Sequence, residues 1–260
     1  ENIVKEKKKL DKDLAMAEIV QRNSLPSKML TIEGYSVEHQ YYPAKKVSGD
    51  FYAFFRLSES KYGFLVADAV GKGVAAALIT LSLKSLLEQY ISKDLEPYEN
   101  IERLNKIMYS SREFSRYMPM VYAVLDTKTN ELTVCNAGHD SPVLISENKE
   151  TLLESNGMPV GLEPDEVYTQ HTVQLKDSDL FLMYTDGLPD AVNEFGETFG
   201  EEKILRALKN YVLQKKSSSF SSIVLQEWER YRNKEGGQRD DMTYVFIERV
   251  KQDSIGIMLS

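Results

Sequence analysis

The segment Phe64–Gly73 constrains this chain more than any other. An apolar run, Phe64–Ala67, stops on Asp68; Gly71 and Gly73 then bracket Lys72 ahead of a long apolar segment, Val74–Ile91. A short apolar run bounded by turn signals reads as a buried strand, and the longer segment reads as a helix. A carboxylate at the end of a buried strand, where the backbone turns tightly, suits a hard cation better than it suits packing, so Asp68 is the first candidate metal ligand. A phosphate-cradling loop also joins strand to helix through glycines and a lysine, but it needs Ser or Thr after the lysine, and Gly73 stands there. Taken alone, the stretch leaves a purely structural turn open.

The chain's 260 residues are enough for one large domain or two small ones with a substantial core. A formal charge of -8 argues against a nucleic-acid partner, which would want a basic face. The single cysteine, Cys135, excludes an internal disulfide and a cysteine-rich zinc cluster, and its strand-like surroundings make it a small core residue. No apolar stretch reaches the length of a membrane span, and the first residues are too charged for a signal peptide. The expected compartment is the cytoplasm. The chain opens on Glu1 in mid-helix pattern, which predicts a missing upstream part, a sensor or a membrane tether.

Glu1–Asn23 is charged, lacks Gly and Pro, and carries Ile3, Leu10 and Ala17 at heptad spacing. Two readings stay open: a helix that pairs with a copy of itself into a homodimer, and a solvated helix lying on its own domain. Residues 24–260 form the expected main domain. Ile32–Tyr41 alternates as a half-buried strand, and Phe51–Leu57 with Tyr62–Ala67 forms a predicted hairpin. Helices are expected over Val74–Ile91, apolar nearly all round and so buried between layers, and over Pro97–Phe114, opened by its proline. Strands follow at Met120–Leu125, Glu131–Asn136, Pro142–Ser146, Val167–Leu175 and Leu180–Tyr184. Two further helices, Glu201–Lys216 and Ser219–Asn233, precede a polar loop at Lys234–Arg239 and a closing strand, Met242–Val250. Strands in runs and helices in pairs predict α+β with mainly antiparallel sheets.

Four predicted strands each have an aspartate just beyond one end: Asp50, Asp68, Asp186 and Asp240. Antiparallel pairing brings Asp50 and Asp68 to the same end of a sheet. Any one of these could be a turn residue; four together point to a shared cation site. With oxygen ligands and no His or Cys spacing, the ions would be Mg²⁺ or Mn²⁺, with Ca²⁺ as a non-productive substitute. Two such ions sharing a bridging water would lower its pKa for in-line attack on a phosphoryl group. His139, in Asn136-Ala137-Gly138-His139, is expected to hold a tight turn rather than to act as a general acid.

The ordered segments Leu25-Pro26, Tyr42-Pro43-Ala44, Ser48-Gly49-Asp50-Phe51-Tyr52, Val66–Gly73, Asn136–His139, Gly157–Gly161, Thr185–Leu188 and Asp240–Thr243 resemble the bacterial branch of the metal-dependent (type 2C, or PPM) protein phosphatases, the sporulation phosphatase E and sigma-factor-regulator group in particular. The resemblance covers nearly everything after Asn23. It implies an α-β-β-α sandwich of two mainly antiparallel sheets flanked by helices, with an N-terminal helical extension and two metal ions at one edge. It further implies that Asp68 bridges both ions, that Asp186 and Asp240 complete one, and that the Ala69 carbonyl and Asp50, directly or through water, serve the other. Asp241 is left to orient water. The implied reaction is hydrolysis of phosphoserine or phosphothreonine on a protein, by analogy an anti-sigma factor antagonist, without a covalent intermediate. The alternative is a catalytically silent or dormant module that uses the fold as a binding platform. Ser48 stands where the family usually has Gly, Ala53 where it has an acid, and no arginine matches the phosphate-gripping one of eukaryotic members, which leaves Lys72 as the stand-in.

Overall fold

A computed structural model describes residues 2–26, 30–111, 117–214, 218–231 and 240–251. Its elements in chain order are α1 (Asn2–Ser24), β1 (Tyr35–Tyr42), β2 (Asp50–Arg56), β3 (Lys61–Asp68), α2 (Val74–Tyr90), α3 (Pro97–Ser110), β4 (Met120–Asp126), β5 (Glu131–Ala137), β6 (Val143–Ser146), β7 (Lys149–Leu152), β8 (His171–Gln174), β9 (Leu180–Tyr184), α4 (Gly200–Leu213), α5 (Phe220–Trp228) and β10 (Met242–Arg249). One sheet runs β2-β3-β4-β5-β8 and the other β1-β10-β9-β6-β7. All pairings within them are antiparallel.

Strand period two divides the side chains between two cores. Leu144, Phe181, Met183, Val245 and Ile247 join the core shared with the β2 sheet, while their neighbours Val143, Ile145, Leu182, Tyr184, Tyr244 and Phe246 join α4 and α5 on the outer face. There Phe220 stacks on Phe246 at 4.4 Å between ring centroids. α3 opens with a capping box in which Glu96 and Glu99 each accept from the other's backbone N–H, on either side of Pro97. The layers are therefore helix, sheet, sheet, helix, as the resemblance implies.

Several sequence expectations need correction. α2 is not buried all round: Ala76, Ala77, Thr80, Leu83 and Leu87 face inward, but Val74 and Leu78 are exposed, because the helix is covered on one side only. β1 starts at Tyr35 rather than Ile32, since Gly34 turns the chain with φ at +79°. β7 is an addition to the expected strands; its exposed Lys-Glu-Thr-Leu has no apolar alternation to announce it. The strand expected over Val167–Leu175 is confined to His171–Gln174. The loop at Lys234–Arg239 and the last residues expected for α3, α4 and α5 lie outside the described residues, apart from Ser111, Gln214 and Glu229–Tyr231, which follow those helices. Among the described residues, no helix is long and apolar enough to cross a membrane.

Candidate metal centre

The β2–β3 hairpin sets Asp50 directly opposite Asp68, with Phe51 opposite Ala67 next in register. Beyond Asp68 the chain folds back on the start of β2: the Ala69 N–H donates to the Gly49 carbonyl at 2.9 Å. Gly71 and Gly73 then take φ of +104° and +82°, a region that residues with a Cβ avoid. Gly49 is wedged against this turn, where a Cβ would lie 3.1 Å from the Ala69 carbonyl oxygen.

The second pair of acids comes from the other sheet. β9 and β10 pair Tyr184 with Tyr244, and the ladder continues as the Thr185 N–H donates to the Thr243 carbonyl at 2.9 Å. Asp186 thus leaves β9 beside the point where Asp240 and Asp241 enter β10. The approach is close enough that a Cβ on Gly187 would lie 1.8 Å from the Asp241 carbonyl oxygen. Two side chains tie the sheets together at this end. The Thr185 hydroxyl donates to Asp50 Oδ2 at 2.8 Å. Asp241 accepts from the Ala44 and Gly49 backbone N–H groups, one on each carboxylate oxygen, at 2.7 Å. Asp241 therefore holds the loops that bear Ala44 and Gly49.

Gathering acids in one place raises their pKa values. Burial, with Asp68 nearby, pushes the Asp50 carboxyl well above the carboxylate range. Asp68 is pushed up to about 7 by burial and by Asp186, Asp240, Asp241 and Asp140. Asp186 is raised to about 6 by burial, Asp240, Asp140 and Asp190. Asp140 is raised to about 6 by burial, Asp190 and Glu201. Lys72 Nζ answers this field, lying 2.5 Å from Asp240 Oδ2. All the donors are hard oxygens, and their negative charge exceeds what Lys72 can neutralise, so the set fits divalent cations of the Mg²⁺ or Mn²⁺ type. Among the described residues, however, no three carboxylate, imidazole or thiol side chains stand in ligand geometry around one point. The four sequence candidates share one end of the sandwich, with their carboxylates spread around it rather than converged on a single centre.

His139 is 7% exposed, and burial pulls its ring pKa down to about 4. Its backbone is gripped on both sides by the Asn136 amide, the N–H donating to Oδ1 at 3.0 Å and the carbonyl accepting from Nδ2 at 3.2 Å. It holds a turn, as expected from the sequence. Sequence reasoning missed Gln21, the buried residue of α1, whose amide accepts from the Ser48 N–H at 3.0 Å and donates to the Ser48 carbonyl at 2.7 Å and to Thr80 Oγ1 at 3.1 Å. A lone Gln in a charged helix carries no signal of this kind. Asp140 and Asp190 were also missed as members of the charge cluster; the spacing of Asp190 four residues after Asp186 was the available hint.

The sequence model of the family described as Stage II sporulation protein E (SpoIIE) matches residues 58–250. Phosphoserine phosphatase RsbU of Bacillus subtilis is 26% identical over 240 residues, 91% of this chain and 70% of that protein. Phosphoserine phosphatase RsbP of the same organism is 28% identical over 185 residues, 69% of this chain, but the match spans only 45% of RsbP. The solved SiaA-PP2C domain of Pseudomonas aeruginosa superposes with a TM-score of 0.80 at 23% identity, covering 94% of this chain and 98% of that one. RsbX, solved in complex with magnesium, gives a TM-score of 0.62 at 20% identity over 85% of this chain and 98% of its own. With most of the chain inside the family match and its sandwich shared with PP2C domains, the protein belongs to the SpoIIE family of PP2C-type phosphatases.

Proposed function

We propose that this domain is a Mg²⁺- or Mn²⁺-dependent protein serine/threonine phosphatase. It would act on a phosphorylated signalling regulator in the cytoplasm, an anti-sigma factor antagonist being the substrate that the sequence resemblance implies; the relatives RsbU and RsbP, named phosphoserine phosphatases, support the phosphoserine part of that reading. The observation that carries the reading is the gathering of Asp50, Asp68, Asp186 and Asp240, from four separate strand ends, at one end of the sandwich, where burial and neighbouring acids raise the pKa values of Asp50, Asp68 and Asp186. Asp68 would serve two cations; Asp186 and Asp240 would complete the holding of one, and the Ala69 carbonyl with Asp50, directly or through water, that of the other. Bound divalent cations would supply phosphoryl charge neutralisation and lower the pKa of an attacking water.

The chain's own residues prepare that chemistry. The Thr185 hydroxyl fixes the orientation of Asp50, and Asp241 fixes the loops that bear Ala44 and Gly49. Asp50 and Asp68 hold protons more tightly than exposed carboxylates do, and those protons must leave before either can ligate a cation. With its ring buried and neutral, His139 is not placed to protonate a leaving serine, a task that falls to solvent. α1 supports a homodimer: Ile3, Leu10, Met16 and Val20 are exposed on it, and only its last turns are held to the domain, through Gln21. Sedimentation that finds only monomer at high concentration rejects this pairing.

The test of the main reading is hydrolysis of p-nitrophenyl phosphate and of a phosphoserine protein in Mn²⁺. Activity should fall at least ~100-fold on Asp68→Asn, the range typical of losing a group that stabilises transition-state charge. Full activity in that variant rejects the assignment, and no activity in the parent favours a silent binding module.

A further inference from the structure

We infer that Lys72 exchanges partners: it pairs with Asp240 while the acid cluster lacks a cation, and with the phosphoryl group of the substrate once a divalent ion has taken Asp240. The inference rests on the proposed phosphatase reading and adds the residue that would receive the phosphate. Lys72 Nζ lies 2.5 Å from Asp240 Oδ2, and the attraction of Asp240, with Asp186 and Asp241 behind it, raises the lysine pKa. A lysine ammonium of ordinary pKa is already charged through the physiological range. With Asp240 Oδ1 accepting from the Asp241 N–H at 3.0 Å, the ammonium holds the other carboxylate oxygen, Oδ2, for which a divalent ion would have to compete.

Charge balance says where the lysine goes next. Asp50, Asp68, Asp186 and Asp240 together carry four negative charges, which two divalent ions cancel. No positive charge then remains in that set to receive a phosphomonoester dianion. Displaced from Asp240, Lys72 would lose its counter-charge, because the ion that takes Asp240 cancels the carboxylate that held it. The arriving phosphoryl group supplies a new counter-charge, and a lysine is a common point-charge ligand for phosphate. The backbone suits such an exchange: Lys72 sits between two glycines in left-handed conformation, and its side chain is half exposed (51%), so it can swing without repacking the core.

The bland alternative is a surface ion pair of little consequence. Calorimetric titration of Mn²⁺ into the metal-free protein, followed by titration of inorganic phosphate into the Mn²⁺-loaded protein, separates the two. Lys72→Met should bind Mn²⁺ roughly three- to fivefold more tightly, because the competitor for Asp240 is gone. Once loaded, it should bind phosphate about tenfold more weakly. Lys72→Arg should keep near-parental phosphate binding. Unchanged or weaker Mn²⁺ affinity in Lys72→Met overturns the exchange, and so does unchanged phosphate affinity. If the parent binds no Mn²⁺, the proposed function falls and this inference falls with it.

Discussion

Asp68→Asn should make the metal-free protein more stable while removing its ability to bind metal. The Asp68 carboxyl has its pKa raised from 3.8 in the unfolded chain to about 7 in the fold, first by burial and then by neighbouring acids. Where the folded pKa is the higher one, the native state binds protons more tightly than the unfolded state, so stability falls as pH rises through the window between the two values. The ionised carboxylate is thus a burden at pH 8 and only a small one at pH 4. The full difference corresponds to about 4 kcal/mol at pH 8, and roughly half of that is a fair expectation after solvent screening of a partly exposed group. An amide of the same shape carries no such penalty. The advantage of Asp68→Asn should shrink to roughly two-fifths of its pH 8 value at pH 5. Urea unfolding of both proteins in EDTA at pH 8 and pH 5 measures this directly. The low pKa of His139 acts in the opposite direction below pH 6.5, but it is common to both proteins and cancels in the difference. A variant less stable than the parent at pH 8, or an advantage independent of pH, refutes the electrostatic reasoning.

Two further substitutions probe the frame around the acids. Gly187→Ala puts a Cβ 1.8 Å from the Asp241 carbonyl oxygen, which can be relieved only by parting β9 from β10; a loss of at least ~3 kcal/mol in chemical denaturation is expected, and a neutral effect would contradict the close approach. Gln21→Ala leaves the buried Ser48 N–H and carbonyl without their side-chain partner and should destabilise by about 1–3 kcal/mol. Because Ser48 Oγ in turn accepts from the Asp50 N–H at 3.0 Å, the same variant should weaken Mn²⁺ binding, and intact affinity would uncouple α1 from the site.

The sandwich was legible in the sequence because both its periods are written there. Leu180–Tyr184 is an unbroken apolar run, Met242–Ile247 is apolar but for Thr243, and Phe51–Leu57 and Tyr62–Ala67 flank a short polar turn; each is a strand in the position expected. The acids were legible for a related reason: a carboxylate at the edge of a buried strand stands out against its surroundings. What escaped notice depends on contacts distant in sequence. β7 is held by pairing with β6 and not by its own residues, and Asp241 differs from Asp240 only in meeting Ala44 and Gly49. The exposure of Val74 and Leu78 shows the reverse error, since apolar composition does not by itself give burial, and these two positions lie on the face of α2 that stays open among the described residues. Gln21 was invisible because an amide becomes informative only when it is seen closing on Ser48.

The most direct test is anomalous diffraction at the manganese edge from crystals grown with Mn²⁺. Two peaks should lie between Asp50, Asp68, Asp186 and Asp240, at ~2.0–2.2 Å from the carboxylate oxygens as hard six-coordinate ions require, with Lys72 Nζ no longer on Asp240. Manganese bound elsewhere, or none at this end of the sandwich with Lys72 still paired to Asp240, would contradict a two-ion centre built on these four aspartates.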